Sequence, residues 1–380
     1  MAPTPTLPPG LVRPALAAVQ PYEPGRPIDE VRRERGVESV VKLASNEGPF
    51  PPMPAALAAI AAAAVGQNLY PDAGAWELRD ALSARHGVAP ERILVGNGVD
   101  SLIKLVCAVA LDPGDQLAMG WPSFPSWRQG AGVQGAEVVA APLTPHGAYD
   151  LDALLAAVGP RTKLVVVVSP NNPTGSAVPR DALTDFLDRL PGHVLPCIDE
   201  AYFEYLPSGA HDAVSLARDG RPVAAFRTFS KAYGLAGLRI GYLVGPADLV
   251  REISRVRNAF DVNGLAQAAA LASLADAAEH LPERLDLVVR ERARAAGGLR
   301  ALGLDPLPSD ANFLLVPVGT PARAAALNEA LLDRGVIVRP ARAFGAPDAL
   351  RVTVGLPEEN DRMLAALAEA LEEAAAAEPA

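Results

Sequence analysis

Two uninterrupted apolar runs end in polar turn motifs, and this pattern constrains the fold more than any other feature of the sequence. Residues 164–168 lead into the motif SPNNPTG at 169–175, and residues 194–198 lead into DEAY at 199–202. Apolar runs of this length, bounded by turn residues, are typical of buried parallel strands. Because α/β sheets bind ligands beyond the carboxyl ends of their strands, we expect the polar residues to face a binding crevice.

A lysine with phosphate-binding neighbours is the most informative single residue. Lys231 follows a strand-like run and Ser230, and Arg239 comes eight positions later among glycines. A lysine amine condenses with an aldehyde to form an imine, and a hydroxyl beside a fixed arginine can hold a phosphate. The aldehyde that carries a phosphate is pyridoxal 5'-phosphate, and a carboxylate such as Asp199 can keep its ring nitrogen protonated. The three motifs together predict a site for this cofactor.

A glycine-rich turn at residues 94–105 predicts a strand, a turn and the start of a helix. Backbone amides at a helix N-terminus cradle phosphate, and Asp100, or Ser101 as a second choice, is the expected helix N-cap. Ser101 stands where a dinucleotide fingerprint needs its third glycine, which argues against NAD. Phe124, which follows another predicted strand, could stack on a planar cofactor ring.

Composition is that of a metabolic enzyme. The chain has 380 residues, half of them apolar, and a net charge of −10 with acidic and basic residues interspersed. We therefore expect small-molecule partners and neither a nucleic-acid nor a membrane partner. The N-terminus shows no signal-peptide pattern, and Cys107 and Cys197 lie in apolar runs, which predicts buried free thiols and a cytoplasmic protein. Five histidines without a Cys/His cluster predict no metal site.

Strand and helix signals alternate along the chain, which predicts an α/β fold. We expect an N-terminal arm over 1–54, a large domain over 55–255 and a smaller C-terminal domain over 256–380. The predicted strands of the large domain lie near 92–96, 116–120, 136–142, 163–168, 193–198, 222–228 and 238–244. Helices are predicted at 55–65, 267–302 and 357–373, and a small C-terminal sheet at 313–316, 336–338 and 351–354.

The motifs resemble those of fold-type I, pyridoxal phosphate-dependent aminotransferases. Within that class the chain is similar to the histidinol-phosphate aminotransferase family and to the bacterial aromatic aminotransferases. The resemblance runs from residues 11–14 through 42–47 and 70–72 to 350–355, nearly the whole chain. It implies a large cofactor-binding domain with a mostly parallel central sheet between helices, a smaller α+β domain that the N-terminal arm joins, and a homodimer.

The resemblance also implies a role for each motif residue. Lys231 would bind the cofactor covalently and then move the proton, with Asp199 at the pyridine nitrogen. The remaining cofactor contacts would be Asn172 and Tyr202 at the ring hydroxyl, Phe124 on the ring face, Ser230, Arg239 and the backbone of Val99 and Asp100 at the phosphate, and Tyr70 from the second subunit. The substrate's anionic end would be surrounded by Tyr22, Asn46, Arg339 and Arg351.

The expected reaction is transamination between histidinol phosphate and 2-oxoglutarate, with an amino donor and a 2-oxo acid as partners. An aromatic amino-acid aminotransferase is the first alternative, and a phosphothreonine decarboxylase on the same scaffold is the second. An arginine binds a carboxylate as well as a phosphate, so Arg339 and Arg351 leave the substrate open. A cofactor-binding regulator is the least favoured interpretation, because no basic DNA-binding segment is attached.

Overall fold

A computed structural model describes residues 7–8, 10–21 and 23–377. Its strands, in chain order, are β1 Val41–Lys42, β2 Ile93–Gly96, β3 Gln116–Trp121, β4 Glu137–Pro142, β5 Thr162–Val168, β6 Leu195–Asp199, β7 Ala224–Thr228, β8 Gly241–Val244, β9 Phe313–Pro317, β10 Val336–Ile337, β11 Arg339–Pro340 and β12 Ala349–Thr353. Its α-helices are α1 Ile28–Arg35, α2 Pro54–Ala63, α3 Trp76–His86, α4 Gly98–Ala110, α5 Pro125–Gln134, α6 Leu151–Ala156, α7 Arg180–Arg189, α8 Ala213–Arg218, α9 Ala247–Ile253, α10 Gly264–Ala301, α11 Pro321–Asp333 and α12 Pro357–Ala377.

A seven-stranded sheet forms the centre of the molecule. Its strand order is β2-β8-β7-β6-β5-β3-β4, and β8 alone runs antiparallel to its neighbours. The apolar runs at β5 and β6 are almost fully buried. Strands β2, β3, β4, β5, β6 and β7 therefore end at one edge of the sheet, where β8 begins. The predicted α/β class and the mostly parallel sheet are confirmed, and all seven strands lie where the sequence predicts them.

A smaller unit packs beside the sheet. Strands β11, β12 and β9 form an antiparallel sheet, and α11, α12 and the C-terminal part of α10 enclose a second hydrophobic core with it. Helix α10 runs for 38 residues from the first core to the second. The predicted domain boundaries stay a prediction, although the two cores are separate clusters.

Two local predictions are wrong. Helix α4 begins at Gly98 with Asn97 as its N-cap, so neither Asp100 nor Ser101 caps it and Asp100 lies in the first turn. Glycine at φ +74° allows the chain to turn into the helix earlier than the capping rule suggests. Residues 336–337 pair in parallel with β1 of the N-terminal segment, and the strand that pairs with β12 is β11. Residue 338 lies between the two strands and belongs to neither pairing.

Two further observations bear on the sequence-based expectations. Cys107 and Cys197 are buried free thiols in the large core, as predicted. Within the described ranges 7–8, 10–21 and 23–377, no helix has both the length and the apolar character needed to cross a bilayer.

Candidate active site

A cavity of about 310 Å³ opens at the sheet edge where the strand ends meet. It receives side chains from the central sheet, from the first turn of α4, from the segment before α5, from the N-terminal segment and from β12. The lining residues are Ser45, Asn46, Glu47, Val99, Asp100, Phe124, Val168, Asn172, Asp199, Ala201, Tyr202, Thr228, Ser230, Lys231, Ala236, Gly237, Arg239 and Arg351. The volume lies at the lower end of the range for small-molecule sites.

Lys231 stands on the cavity wall, three residues beyond the end of β7. Its Nζ donates a hydrogen bond to the Ser45 carbonyl at 3.2 Å and lies 5.7 Å from the centre of the Tyr202 ring. Burial, the nearby Arg351 guanidinium and Arg239 lower the pKa of the amine to about 8. About a tenth of the amine is therefore neutral at pH 7, and the neutral amine is the form that attacks an aldehyde or takes up a proton.

Asp199 closes β6 and is almost completely buried. Its Oδ2 accepts a hydrogen bond from Trp127 Nε1 at 3.1 Å, and its Oδ1 accepts one from the Ala201 amide at 3.2 Å. Burial raises the pKa of the carboxyl to about 6, although both hydrogen bonds act in the opposite direction. The carboxylate is thus held in a fixed orientation at the wall of the cavity.

Residues distant in sequence meet on the side of the cavity that faces the smaller sheet. Asn46 Nδ2 donates to the Tyr202 hydroxyl at 2.8 Å, and Arg351 Nη1 donates to Asn172 Oδ1 at 2.6 Å. Thr353 on β12 accepts from the Asn46 amide at 2.9 Å and fixes that segment. The N-terminal segment and β12 thereby complete a wall that the central sheet begins.

The opposite end of the cavity collects groups that favour an anion. Thr228 Oγ1 donates to Ser230 Oγ at 2.9 Å, and Arg239 Nη1 lies 3.5 Å from the same hydroxyl. The N-terminal turn of α4 points here, and a Cβ on Gly98 would come within 2.5 Å of Arg239 Nη2. Glycine therefore keeps open a cradle bounded by a guanidinium, two hydroxyls and a helix N-terminus, a combination suited to phosphate.

The family-specific sequence pattern described as "Aminotransferase class I and II" matches residues 38–367. The chain is 45% identical over 359 residues to a histidinol-phosphate aminotransferase of Anaeromyxobacter sp. (strain Fw109-5), with 94% of this chain and 98% of that protein covered. The chain belongs to the class I and II aminotransferase family.

Two other similar proteins, one by sequence and one by structure, bear on the choice of substrate. An aromatic amino acid aminotransferase of Mycobacterium bovis is 44% identical over 356 residues, covering 93% of this chain and 96% of that one. The crystal structure of histidinol-phosphate aminotransferase from Sinorhizobium meliloti, in complex with pyridoxal-5'-phosphate, superposes with a TM-score of 0.88 at 31% identity, covering 96% and 98% of the two chains.

Family membership confirms the predicted enzyme class, a transaminase that uses pyridoxal phosphate. The cavity of this aminotransferase fits that cofactor, because it holds an amine of lowered pKa, a buried carboxylate and, at one end, an anion cradle. Of the fourteen residues predicted for the site, eleven line the cavity: Asn46, Val99, Asp100, Phe124, Asn172, Asp199, Tyr202, Ser230, Lys231, Arg239 and Arg351.

The other three predicted residues are not among the described residues that line this cavity. Tyr70 is 82% exposed and stacks on Phe260, with ring centres 4.6 Å apart. Arg339 is buried and donates a hydrogen bond to the Glu23 carbonyl, and it lines a second cavity of about 580 Å³. Tyr22 lies outside the described residues.

Sequence reasoning missed some members of the site. Thr228 precedes the Ser-Lys pair by two positions, and its alternation with Ser230 along the strand end was a usable signal. Trp127 carried no comparable signal, because its bond to Asp199 spans 72 residues.

Proposed function

We propose that this aminotransferase acts on histidinol phosphate, exchanging its amino group with 2-oxoglutarate in histidine biosynthesis. In the biosynthetic direction it would convert imidazole-acetol phosphate, with glutamate as the amino donor. The single observation that carries the proposal is a pair of neighbouring arginines, of which Arg351 lines the cavity and Arg339 lines the second cavity. Arg339 and Arg351 are register partners on β11 and β12, and both guanidinium groups lie against the Phe344 ring.

The paired arginines favour a phosphate monoester over a carboxylate. Arg351 lines the cavity, and the Arg339 guanidinium approaches the same Phe344 ring from the neighbouring strand, so positive charge would extend beyond the position that a single carboxylate uses. A phosphate monoester carries between one and two negative charges near neutral pH and three acceptor oxygens, and it therefore gains more from the second guanidinium. Asn46 and Tyr22 complete the proposed set of residues around the substrate's anionic end.

Bound pyridoxal phosphate supplies an aldehyde that links to amines and a protonated ring that stabilises the charge left when a substrate loses its α-proton. We assign Lys231 Nζ to the covalent link and then to the α-proton of the substrate. The pKa of about 8 suits both tasks, since part of the amine is neutral near neutral pH and the amine is still basic enough to take up a proton. Lys231, Asp199 and Tyr202 are the proposed catalytic residues.

Other residues would hold the cofactor in place. Asp199 would face the pyridine nitrogen, and Asn172 and Tyr202 the ring hydroxyl, each already oriented by Arg351 or Asn46. Phe124 would cover the ring face at the start of α5. The phosphate would lie in the cradle formed by Ser230, Arg239 and the amides of Val99 and Asp100.

We further propose a homodimer in which Tyr70 reaches the phosphate of the other subunit. Tyr70 is exposed in the single chain, and the same region carries the exposed apolar side chains Leu57, Val65, Leu69, Trp76 and Phe260. A second copy of the chain would bury these groups. The two free thiols favour a reducing compartment, so a cytoplasmic location belongs to the proposal.

The runner-up is an aromatic amino-acid aminotransferase, and a specific observation favours it. Phe124 presents an apolar ring without a hydroxyl at the cavity, where an aromatic substrate would find a compatible surface. A phosphothreonine decarboxylase on the same scaffold is the third candidate, because its substrate would also use the two arginines.

Parallel steady-state assays with imidazole-acetol phosphate, phenylpyruvate and phosphothreonine decide among the three. We expect the highest kcat/KM for imidazole-acetol phosphate. A higher kcat/KM for phenylpyruvate would replace the proposal with the runner-up, and carbon dioxide release from phosphothreonine would support the third candidate.

Arg339→Ala then tests the paired arginines. The loss for histidinol phosphate should exceed the loss for phenylalanine by about 1.5–3 kcal/mol, the range for one hydrogen bond to a charged group. Arg342→Ala is the matched control, since that arginine follows β11 but its side chain is 75% exposed and pairs only loosely with Glu23 at 3.4 Å. Equal losses for both substrates in Arg339→Ala would contradict a phosphate role.

A further inference from the structure

Trp127 connects the first turn of α5 to the carboxylate at the end of β6. The indole is fully buried and packs edge-on against Phe226, with ring centres 5.1 Å apart and an interplanar angle of 89°. Its Nε1 reaches Asp199 Oδ2 at 3.1 Å. Burial on all sides fixes the ring, so packing helps to hold the direction of its N–H.

Both oxygens of Asp199 face groups that can only donate. An indole N–H has no acceptor capacity, and neither does the Ala201 amide that bonds to Oδ1 at 3.2 Å. A protonated carboxyl would direct its own hydrogen toward the cavity or against one of these donors. The two contacts therefore favour the ionised form and hold the plane of the carboxylate, while the remaining lone pairs of each oxygen stay available to the cavity that Asp199 lines.

The surroundings otherwise disfavour this charge. Asp199 is almost fully buried, and the carboxylates of Asp100 and Glu200 lie close enough to raise its pKa further. The same turn of α5 also donates a hydrogen bond to one of these neighbouring carboxylates: Ser126 Oγ donates to Asp100 Oδ1 at 2.6 Å. Two consecutive residues of α5 thus hydrogen-bond to two carboxylates of the site.

From this geometry we infer that Trp127 is a positioning residue, whose N–H keeps Asp199 ionised and turned toward the position of the cofactor's ring nitrogen. The inference rests on the proposed cofactor role of Asp199 and extends it to a residue that does not line the cavity. Trp127 acts through Asp199 and touches neither substrate nor cofactor in this role.

Trp127→Phe removes the N–H and keeps an aromatic ring against Phe226. We expect the dissociation constant of the apo-protein for pyridoxal phosphate to rise by roughly 10- to 100-fold, the equivalent of one hydrogen bond to a charged group. Nitrogen NMR of cofactor labelled at its ring nitrogen should show a loss of ring protonation. The kcat should fall while the KM for the amino donor changes little, since the substrate end is untouched.

Two further variants separate the hydrogen bond from packing. Trp127→Tyr restores a donor on a ring and should recover part of the affinity and of the ring protonation. Phe226→Leu loosens the same aromatic contact without touching the N–H, so it should lower the melting temperature and leave the NMR signal as in the wild type. If Trp127→Phe is too unstable to purify, the comparison of Trp127→Tyr with Phe226→Leu still decides the question.

Failure of the inference is distinct from failure of the proposed function. A wild-type protein that does not bind pyridoxal phosphate would end the proposed function. A wild type that binds it, with unchanged affinity and ring protonation in Trp127→Phe, would overturn the positioning role alone. Equal impairment of ring protonation in Phe226→Leu and in both Trp127 variants would assign the effect to packing and overturn it as well.

Discussion

Asp199→Asn separates the charge of the buried carboxylate from its shape. The amide has nearly the same size, but one of its two ends becomes a donor. Since Trp127 Nε1 and the Ala201 amide both point donors at this side chain, one of the two contacts must become a donor facing a donor. The substitution thus removes the negative charge from the proposed ring-nitrogen site and mispairs one hydrogen bond.

The effects on stability and on rate should differ in size. The pKa of Asp199 is raised from 3.8 to about 6, so ionising it in the folded protein costs on the order of 3 kcal/mol at neutral pH. Asparagine removes this cost but leaves one donor mispaired, a penalty of about 1–3 kcal/mol. The free energy of unfolding of the apo-protein should therefore change by no more than about 2 kcal/mol.

Catalysis should suffer much more. Removing one electrostatic group that stabilises a developing charge lowers kcat by about 10²- to 10³-fold. Single-turnover experiments with an α-deuterated amino donor measure the proton-transfer step directly, and thermal unfolding of the apo-protein measures stability at the same pH. Asp212→Asn is the control, because that carboxylate pairs with Arg227 at 2.6 Å outside the cavity and asparagine can keep its cap on α8.

A proton-transfer rate within tenfold of the wild type in Asp199→Asn would refute the ring-nitrogen role. So would an equal loss of rate in Asp212→Asn, since the loss of any paired carboxylate would then have the same effect. Loss of folding in Asp199→Asn alone would contradict the stability estimate.

Three further predictions concern the covalent link to Lys231, the pKa of Lys231 and the assembly of the protein. Borohydride reduction of the yellow holoenzyme should label Lys231, and Lys231→Ala should bind cofactor without turnover; a label on Lys42, Lys104 or Lys163 would reject the assignment. The pKa of Lys231 falls from 10.5 to about 8 on folding, so the stability of the apo-protein should rise between pH 8 and 10.5, by on the order of 3 kcal/mol, and Lys231→Met should abolish that rise. Mixing Tyr70→Ala with Lys231→Ala should restore part of the activity in hybrid dimers, and hybrids without activity would argue against a shared site.

The local motifs predicted many of the residues that line the cavity. The apolar runs predicted β5 and β6, and the polar residues beyond them lie at the cavity because parallel strands end at a common edge. Lys231 and Ser230 follow β7 in the same way. Strand periodicity and turn chemistry are properties of a few consecutive residues, and the sequence carries them directly.

Contacts across long separations needed the folded chain. The bonds from Arg351 to Asn172 and from Asn46 to Tyr202 join residues 179 and 156 positions apart, and the bond from Trp127 to Asp199 spans 72. The capping rule placed the start of α4 too late, because Gly98 at a positive φ turns the chain into the helix first. Such contacts depend on how elements distant in the sequence pack against each other, which no short segment specifies. The sequence by itself determined the fold class, the family and the residue types at the strand ends. Only the tertiary structure decided which distant side chains hold those strand-end residues in their orientations.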